Sequence, residues 1–163
     1  MNALTLADPL TPPGQPHTAT LELPTLAELL GRDPALAEMA EAWRRCELDV
    51  LLRCSGPFTL LAFSNADFSG LAAWQGLSRQ QLFADRDRLS QLMLHHLLPG
   101  AWARCELPWG AELRSAAGQT LRFSALGQLC DELGGQALQQ GSDHIASNGV
   151  LHRLARPLFI AVA

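Results

Sequence analysis

Several groups of residues in this chain have side chains able to do chemistry. His95 and His96 are adjacent imidazoles, the residue type that ligates transition metals and moves protons near neutral pH. Neighbours on a strand point to opposite faces, so a strand carrying this pair does not offer two ligands to one ion, and no metal is expected. Asp143, His144, Ser147 and His152 supply the residue types of a hydrolase triad. Ser147 lies in no G-x-S-x-G elbow, and nothing in the spacing orients a base through a third group, so no catalytic residue is expected. Gly134-Gly135 precedes no Lys-Ser/Thr pair and reads as loop rather than phosphate cradle. Cys46, Cys54, Cys105 and Cys130 match no zinc pattern and contain no C-x-x-C. Cys46 and Cys54 are expected near the two ends of one helix, roughly 12 Å apart, beyond the reach of about 7 Å that a disulfide allows. The four therefore read as free, mostly buried thiols. Trp74, Trp102 and Trp109 fall in or near expected loops, either as core anchors or as part of a contact surface.

The elements that must position these residues follow from caps and periodicity. Residues 1–20 read as a mobile tail, kept extended by Pro9, Pro12, Pro13 and Pro16. A helix starts at Thr25, with Glu28 at capping-box spacing, Leu26, Leu29 and Leu30 on its apolar face, and Gly31 closing it. A second helix starts after Asp33-Pro34 and runs through Met39, Trp43, Leu48 and Leu52 to Ser55-Gly56-Pro57. Phe58 to Phe63 is a short apolar run bounded by that Gly-Pro turn and reads as a buried strand. Ser64 and Asn65 are good caps for the short segment Ala66-Asp67-Phe68. Asp85 to Leu94 forms another helix, its start solvated by alternating Asp85, Arg86, Asp87 and Arg88, and Pro99-Gly100 ends the run that follows it. The remainder is strand-like over Ala111–Leu113, Thr120–Phe123 and Val150–Leu154, with a last apolar run from Leu158 to Val162. Asn148-Gly149 is a tight-turn signal, since both residues tolerate positive φ. Helices first and strands last make the class α+β.

Composition excludes several functions. With 163 residues, 48% of them apolar, the chain suits one domain with a real core. A formal charge of −4 and no basic run longer than Arg44-Arg45 speak against nucleic acid as partner. No apolar run approaches the roughly 20 residues of a membrane-spanning helix. Met1 to Leu10 carries no Lys or Arg and does not read as an export signal, and no compartment is assigned.

Three segments, in order, then carry a specific resemblance. Gly56-Pro57-Phe58-Thr59-Leu60-Leu61-Ala62-Phe63-Ser64-Asn65-Ala66-Asp67-Phe68 resembles the GPFTVFAPTNxAF block of the fasciclin-like family. Leu94-His95-His96-Leu97-Leu98-Pro99-Gly100 is similar to its LxYHVVPG block, and Asp143 to His152 to its DIxASNGVIH block. The resemblance covers about Thr20 to Ile160 and leaves only the tail outside, so the domain is expected over 21–163. It implies a wedge-shaped β-sandwich with packed N-terminal helices, and it implies structural positions at Asn65, His96, Asn148, Gly149 and His152. It further implies a non-catalytic interaction or adhesion module with a protein or glycan partner, without a cofactor. An alternative implied by some microalgal members is a carrier of an apolar small molecule such as a carotenoid. The binding surface is expected around Trp102 and Trp109 together with Asp143-His144, where Asp143 matches the family's acidic contact position.

The chain departs from the family pattern at four points. His95 replaces the family Tyr, His144 replaces the Ile of the Asp-Ile pair, Phe63 replaces a Pro, and Ala155 stands where an Asp is usual. The loss of the Asp-Ile pair argues against integrins as the partner.

Overall fold

The computed structural model describes residues 22–126, 128–131 and 136–159. The expected tail over 1–20 and the Gly134-Gly135 pair lie outside them. Among the described residues, five helices run from Leu26 to His95, and most begin at a side-chain cap. In α1 (Leu26–Arg32) Thr25 and Glu28 cap each other's backbone: Thr25 N donates to Glu28 Oε2 at 2.8 Å, and Glu28 N donates to Thr25 Oγ1 at 3.2 Å. Gly31 does not close α1. The helix runs to Arg32, and Asp33 ends it by turning its own carboxylate onto Ala35 N, 2.9 Å away, to start the 3₁₀ turn Pro34–Leu36.

The second helix is shorter than the apolar spacing implies. α2 (Ala37–Arg45) buries Met39, Ala42 and Trp43 and stops because Glu47 adopts φ 57°, outside the helical region. Leu51 and Leu52 belong to a separate 3₁₀ turn, Leu51–Arg53. Cys46 and Cys54 are therefore not on one helix. All four thiols are free, but only Cys46 is buried; Cys54 and Cys105 are exposed and Cys130 is half-buried. The segment after Ser64 is a full helix, α3 (Asn65–Trp74), capped by Ser64 and Asp67. It places Trp74 on a helix end, exposed and stacked on Phe159, not in a loop. α4 (Arg79–Ala84) and α5 (Arg86–His95) follow, started by Ser78 and Asp85.

Among the described residues, seven strands lie in the order β2-β1-β7-β6-β5-β4-β3. They are β1 (Phe58–Ala62), β2 (Leu97–Pro99), β3 (Glu112–Arg114), β4 (Thr120–Phe123), β5 (Gln128–Cys130), β6 (Gln136–Ala146) and β7 (Gly149–Leu154). β1 runs parallel to β7, with Phe58 opposite Gly149 and Ala62 opposite Arg153. β6 pairs with β5 over Gln136–Leu138 and with β7 over Gln139–Ala146, so it passes from one sheet into the other. Two sheets sharing one long strand make the wedge.

Strand alternation then builds two cores. Leu60, Ala62, Leu97 and Leu151 face the helices and pack with Leu26, Met39, Trp43, Phe68 and Leu92. Leu61, Leu98 and Leu154 face the second sheet and pack with Leu121, Phe123 and Leu129. Adjacent Leu60 and Leu61 thus serve opposite cores, and each side chain so buried is worth about 1.5–3 kcal/mol. Leu158 joins the inter-sheet core but lies in no strand, and residues 160–162 of the expected last run lie outside the described residues. Among the described residues no helix is long and apolar enough to cross a membrane.

Candidate functional site

Trp102, Asp143 and His152 meet where the loop after β2 crosses the β6–β7 pair. His152 is buried on β7, and both of its ring nitrogens face acceptors: Nδ1 lies 3.2 Å from Asp143 Oδ1, and Nε2 lies 2.6 Å from Trp102 O. The other carboxylate oxygen of Asp143 accepts from Arg104 N at 2.8 Å. Trp102 N donates to Thr59 Oγ1 at 2.8 Å, and that hydroxyl donates to Gly100 O at 2.7 Å. One carboxylate, one imidazole and one hydroxyl therefore anchor the loop to β6, β7 and β1. The structure does place a carboxylate beside this imidazole, a pairing that the spacing does not reveal. Its position resembles the Asp–His half of a triad, but the third place is taken by a peptide carbonyl, which is no nucleophile. Ser147 is not near it. It sits on the β6–β7 turn, where its N–H donates to Pro24 O.

Trp102 and Trp109 are both partly buried and pack against the inter-sheet core. Each indole N–H is satisfied inside the loop: Trp102 Nε1 donates to Pro99 O at 2.9 Å, and Trp109 Nε1 to Arg104 O at 3.1 Å. Trp109 also meets the Phe123 ring edge-on, with centroids 5.8 Å apart. His144 does not join this group. It follows Asp143 on β6 and turns to the other face, where it is exposed beside α1. The four candidate contact residues thus divide between the two faces of the β6–β7 pair.

The two adjacent histidines lie on no strand. His95 is the last residue of α5 and His96 caps it; both are fully buried, their rings edge to face at 5.8 Å. His96 Nδ1 donates to Leu92 O at 2.7 Å, which leaves Nε2 to accept from Leu158 N at 3.0 Å. Both nitrogens of the neutral ring are thereby used. Burial pushes the His95 pKa down to about 4, and burial with the neighbouring His95 pushes His96 down to about 3. No group of three or more His, Cys, Asp or Glu side chains among the described residues is placed to hold a metal ion.

The profile of the fasciclin domain family matches residues 34–160, most of the chain. The chain belongs to the fasciclin domain family. Protein sll1483 of Synechocystis sp. is 28% identical over 137 residues, 83% of this chain and 73% of its own length. The transforming growth factor-beta-induced protein ig-h3 of Sus scrofa is 31% identical over 105 residues, 64% of this chain and 15% of that protein. A FAS1 domain pair from the insect cell adhesion molecule fasciclin I superposes with a TM-score of 0.68 at 14% identity, over 85% of this chain and 52% of that one. The wedge described above is the FAS1 fold.

Within this fasciclin domain the turn residues act at long range. Asn148 Oδ1 accepts from Leu26 N at 2.9 Å, and its amide donates to Leu52 O at 2.8 Å and to Cys54 O at 2.7 Å. Neither Asn148 nor Gly149 has positive φ, so turn conformation is not what selects them. Asn65 Oδ1 accepts from Glu38 N at 2.9 Å, capping α2 from a different helix, and its amide donates to Pro34 O at 2.8 Å. Asn65→Ala is expected to cost about 1–2 kcal/mol, as lost caps do. Asn65→Asp, which keeps the acceptor, should cost less, and urea unfolding of the two variants measures the difference. Thr59 and the Arg104 backbone went unnoticed in the sequence. A polar residue inside an apolar strand was the available signal for Thr59; a backbone N–H leaves none.

Proposed function

We propose that this fasciclin domain is a docking module that engages a protein or glycan partner through the Trp102–Trp109 loop, with no catalytic step of its own. The observation supporting the reading is that both indoles are pre-set. Their N–H groups are held by Pro99 O and Arg104 O, and the loop beneath is anchored by His152 and Thr59. Aromatic rings fixed before contact lose little conformational freedom on docking, which is why such side chains carry a large share of interface energy. Asp143 supports the loop by accepting from Arg104 N and facing His152. Adhesion in the family, as in the fasciclin I neighbour described as a cell adhesion molecule, agrees with a docking role.

The test pairs accessibility with binding. Acrylamide is expected to quench Trp102 and Trp109, with Trp102→Phe and Trp109→Phe used to assign the signal. On a panel of purified glycans and surface proteins, the same variants should weaken the captured interaction at least about fivefold without a large drop in Tm. Inaccessible indoles, with binding unchanged in both variants, would remove the loop from the interface. A visible absorption band in protein purified from its native source would instead make the domain a pigment carrier, with a carotenoid as the first candidate.

A further inference from the structure

On the other face of β6, α1 and β7 frame a groove of about 300 Å³ whose chemistry is unlike that of the tryptophan loop. Its floor is apolar, formed by Leu29, Leu36 and Leu151, the last two of them buried. Its rim carries Arg32, Arg153 and His144. Asp33 is the rim's one carboxylate and is already occupied: Oδ1 accepts from Ala35 N at 2.9 Å, and Oδ2 from Arg153 Nη2 at 2.5 Å. Glu28, one turn before Arg32, is turned away to Thr25 N and borders a separate depression. The Arg32 guanidinium, exposed, makes no hydrogen bond among the described residues and senses the Glu28 carboxylate one turn away only through its field. Arg153 is paired with Asp33, and Arg32, offset only at a distance by Glu28, is the groove's open cation on a chain whose formal charge is −4.

We infer that this groove binds a small amphiphilic carboxylate, its hydrocarbon part on Leu29, Leu36 and Leu151 and its carboxylate at Arg32. An apolar floor with a few convergent polar groups is the usual make-up of a small-molecule site. Arg presents a planar fork that matches a carboxylate in two parallel bonds, and Arg32 has that fork open. At about 300 Å³ the groove lies at the small end of the range for ligand sites, which suits a short-chain carboxylate such as octanoate. A purely apolar ligand would leave the guanidinium unmatched, and a small hydrophilic anion would leave the leucines uncovered.

The experiment titrates the full chain with octanoate below its micelle-forming concentration, beside 1-octanol and butyrate. Binding is followed by calorimetry and by methyl chemical shifts. One-to-one binding with a Kd on the order of 0.1–1 mM is expected for a ligand of this size. The shifts should centre on Leu29, Leu36 and Leu151, and both control ligands should bind at least tenfold more weakly. Arg32→Gln, at an exposed position whose electrostatic neighbour is Glu28 on the same helix surface, should change the Tm no more than loss of a surface pair does and lose at least tenfold in octanoate affinity. The inference is overturned by non-saturating binding, by shifts centred elsewhere, by octanol binding as well as octanoate, or by an unaffected Arg32→Gln. Since the tryptophan loop lies on the opposite face, either result leaves the docking test above independent.

Discussion

Gly149→Ala is expected to destabilise this fasciclin domain by about 4 kcal/mol or more, the range reserved for substitutions that break a backbone arrangement. A Cβ at this position would stand 1.9 Å from Phe58 O and 2.8 Å from Phe58 C. Those are backbone atoms of the paired strand, and they cannot swing away as the tip of a side chain can. Moving them disturbs the register in which Phe58 faces Gly149 and Ala62 faces Arg153. It also strains the bond from Phe58 N to Asn148 O, 3.0 Å long, at the residue whose side chain holds Leu26 N, Leu52 O and Cys54 O. Gly70 on α3 is the contrast. A Cβ there meets nothing within 4 Å, so Gly70→Ala should stabilise by about 0.5–1 kcal/mol through helix propensity. Urea unfolding of both variants checks the pair. A Gly149→Ala loss under about 1 kcal/mol would show that the β1–β7 approach is looser than described.

The second large effect is loss of stability in mild acid. His95 and His96 are fully buried, and their folded pKa values fall from the ordinary 6.5 to about 4 and about 3. The unfolded chain therefore binds more protons than the folded one below pH 6.5. The stabilisation is complete above that pH and is lost as pH drops from 6.5 toward the folded values. At about 1.4 kcal/mol per unit, each histidine forfeits roughly 2 kcal/mol between pH 7.5 and pH 5, about 4 kcal/mol for the pair. His96 has the stronger cause, because an added proton on Nε2 would oppose the Leu158 N–H that now donates to it. The two rings are in contact, so their titration is a property of the pair. Chemical denaturation at pH 7.5 and pH 5 measures the difference, and His95→Leu should remove roughly half of it. Equal stability at the two pH values would mean that the pair takes up protons inside the fold.

Local, short-range features were the ones legible beforehand. The Thr25–Glu28 box, the Asp33-Pro34 start, the Asp85 cap and the buried strand from Phe58 depend on residues a few positions apart, so their spacing carries the information. The three family blocks placed the chain in the FAS1 fold for a related reason: each marks a corner where chain direction is set locally. What periodicity could not reveal was a change of axis. Leu48, Leu51 and Leu52 keep the helical rhythm of α2, yet Glu47 at φ 57° redirects the chain, and those residues reach the same core from a different element.

The long strand β6 was equally hidden. Its Gln-, Gly- and Ser-rich sequence has no apolar alternation and becomes a strand by pairing with β5 and β7. Without it, the separation of Asp143 from His144 onto opposite faces could not be seen, and the two looked like one contact surface. The same holds for the site's central contacts. His152 reaches the carbonyl of Trp102, Asn148 reaches Leu26 and Leu52, and Arg153 reaches Asp33. Which segments turn, cap and pack follows from residue order, because those preferences are set by neighbours along the chain. Which distant backbone groups those side chains serve, and why position 149 must be glycine, depends on the packing of remote strands. The parallel register of β1 and β7 brings Phe58 O to where a Cβ would stand, and no local preference encodes that approach.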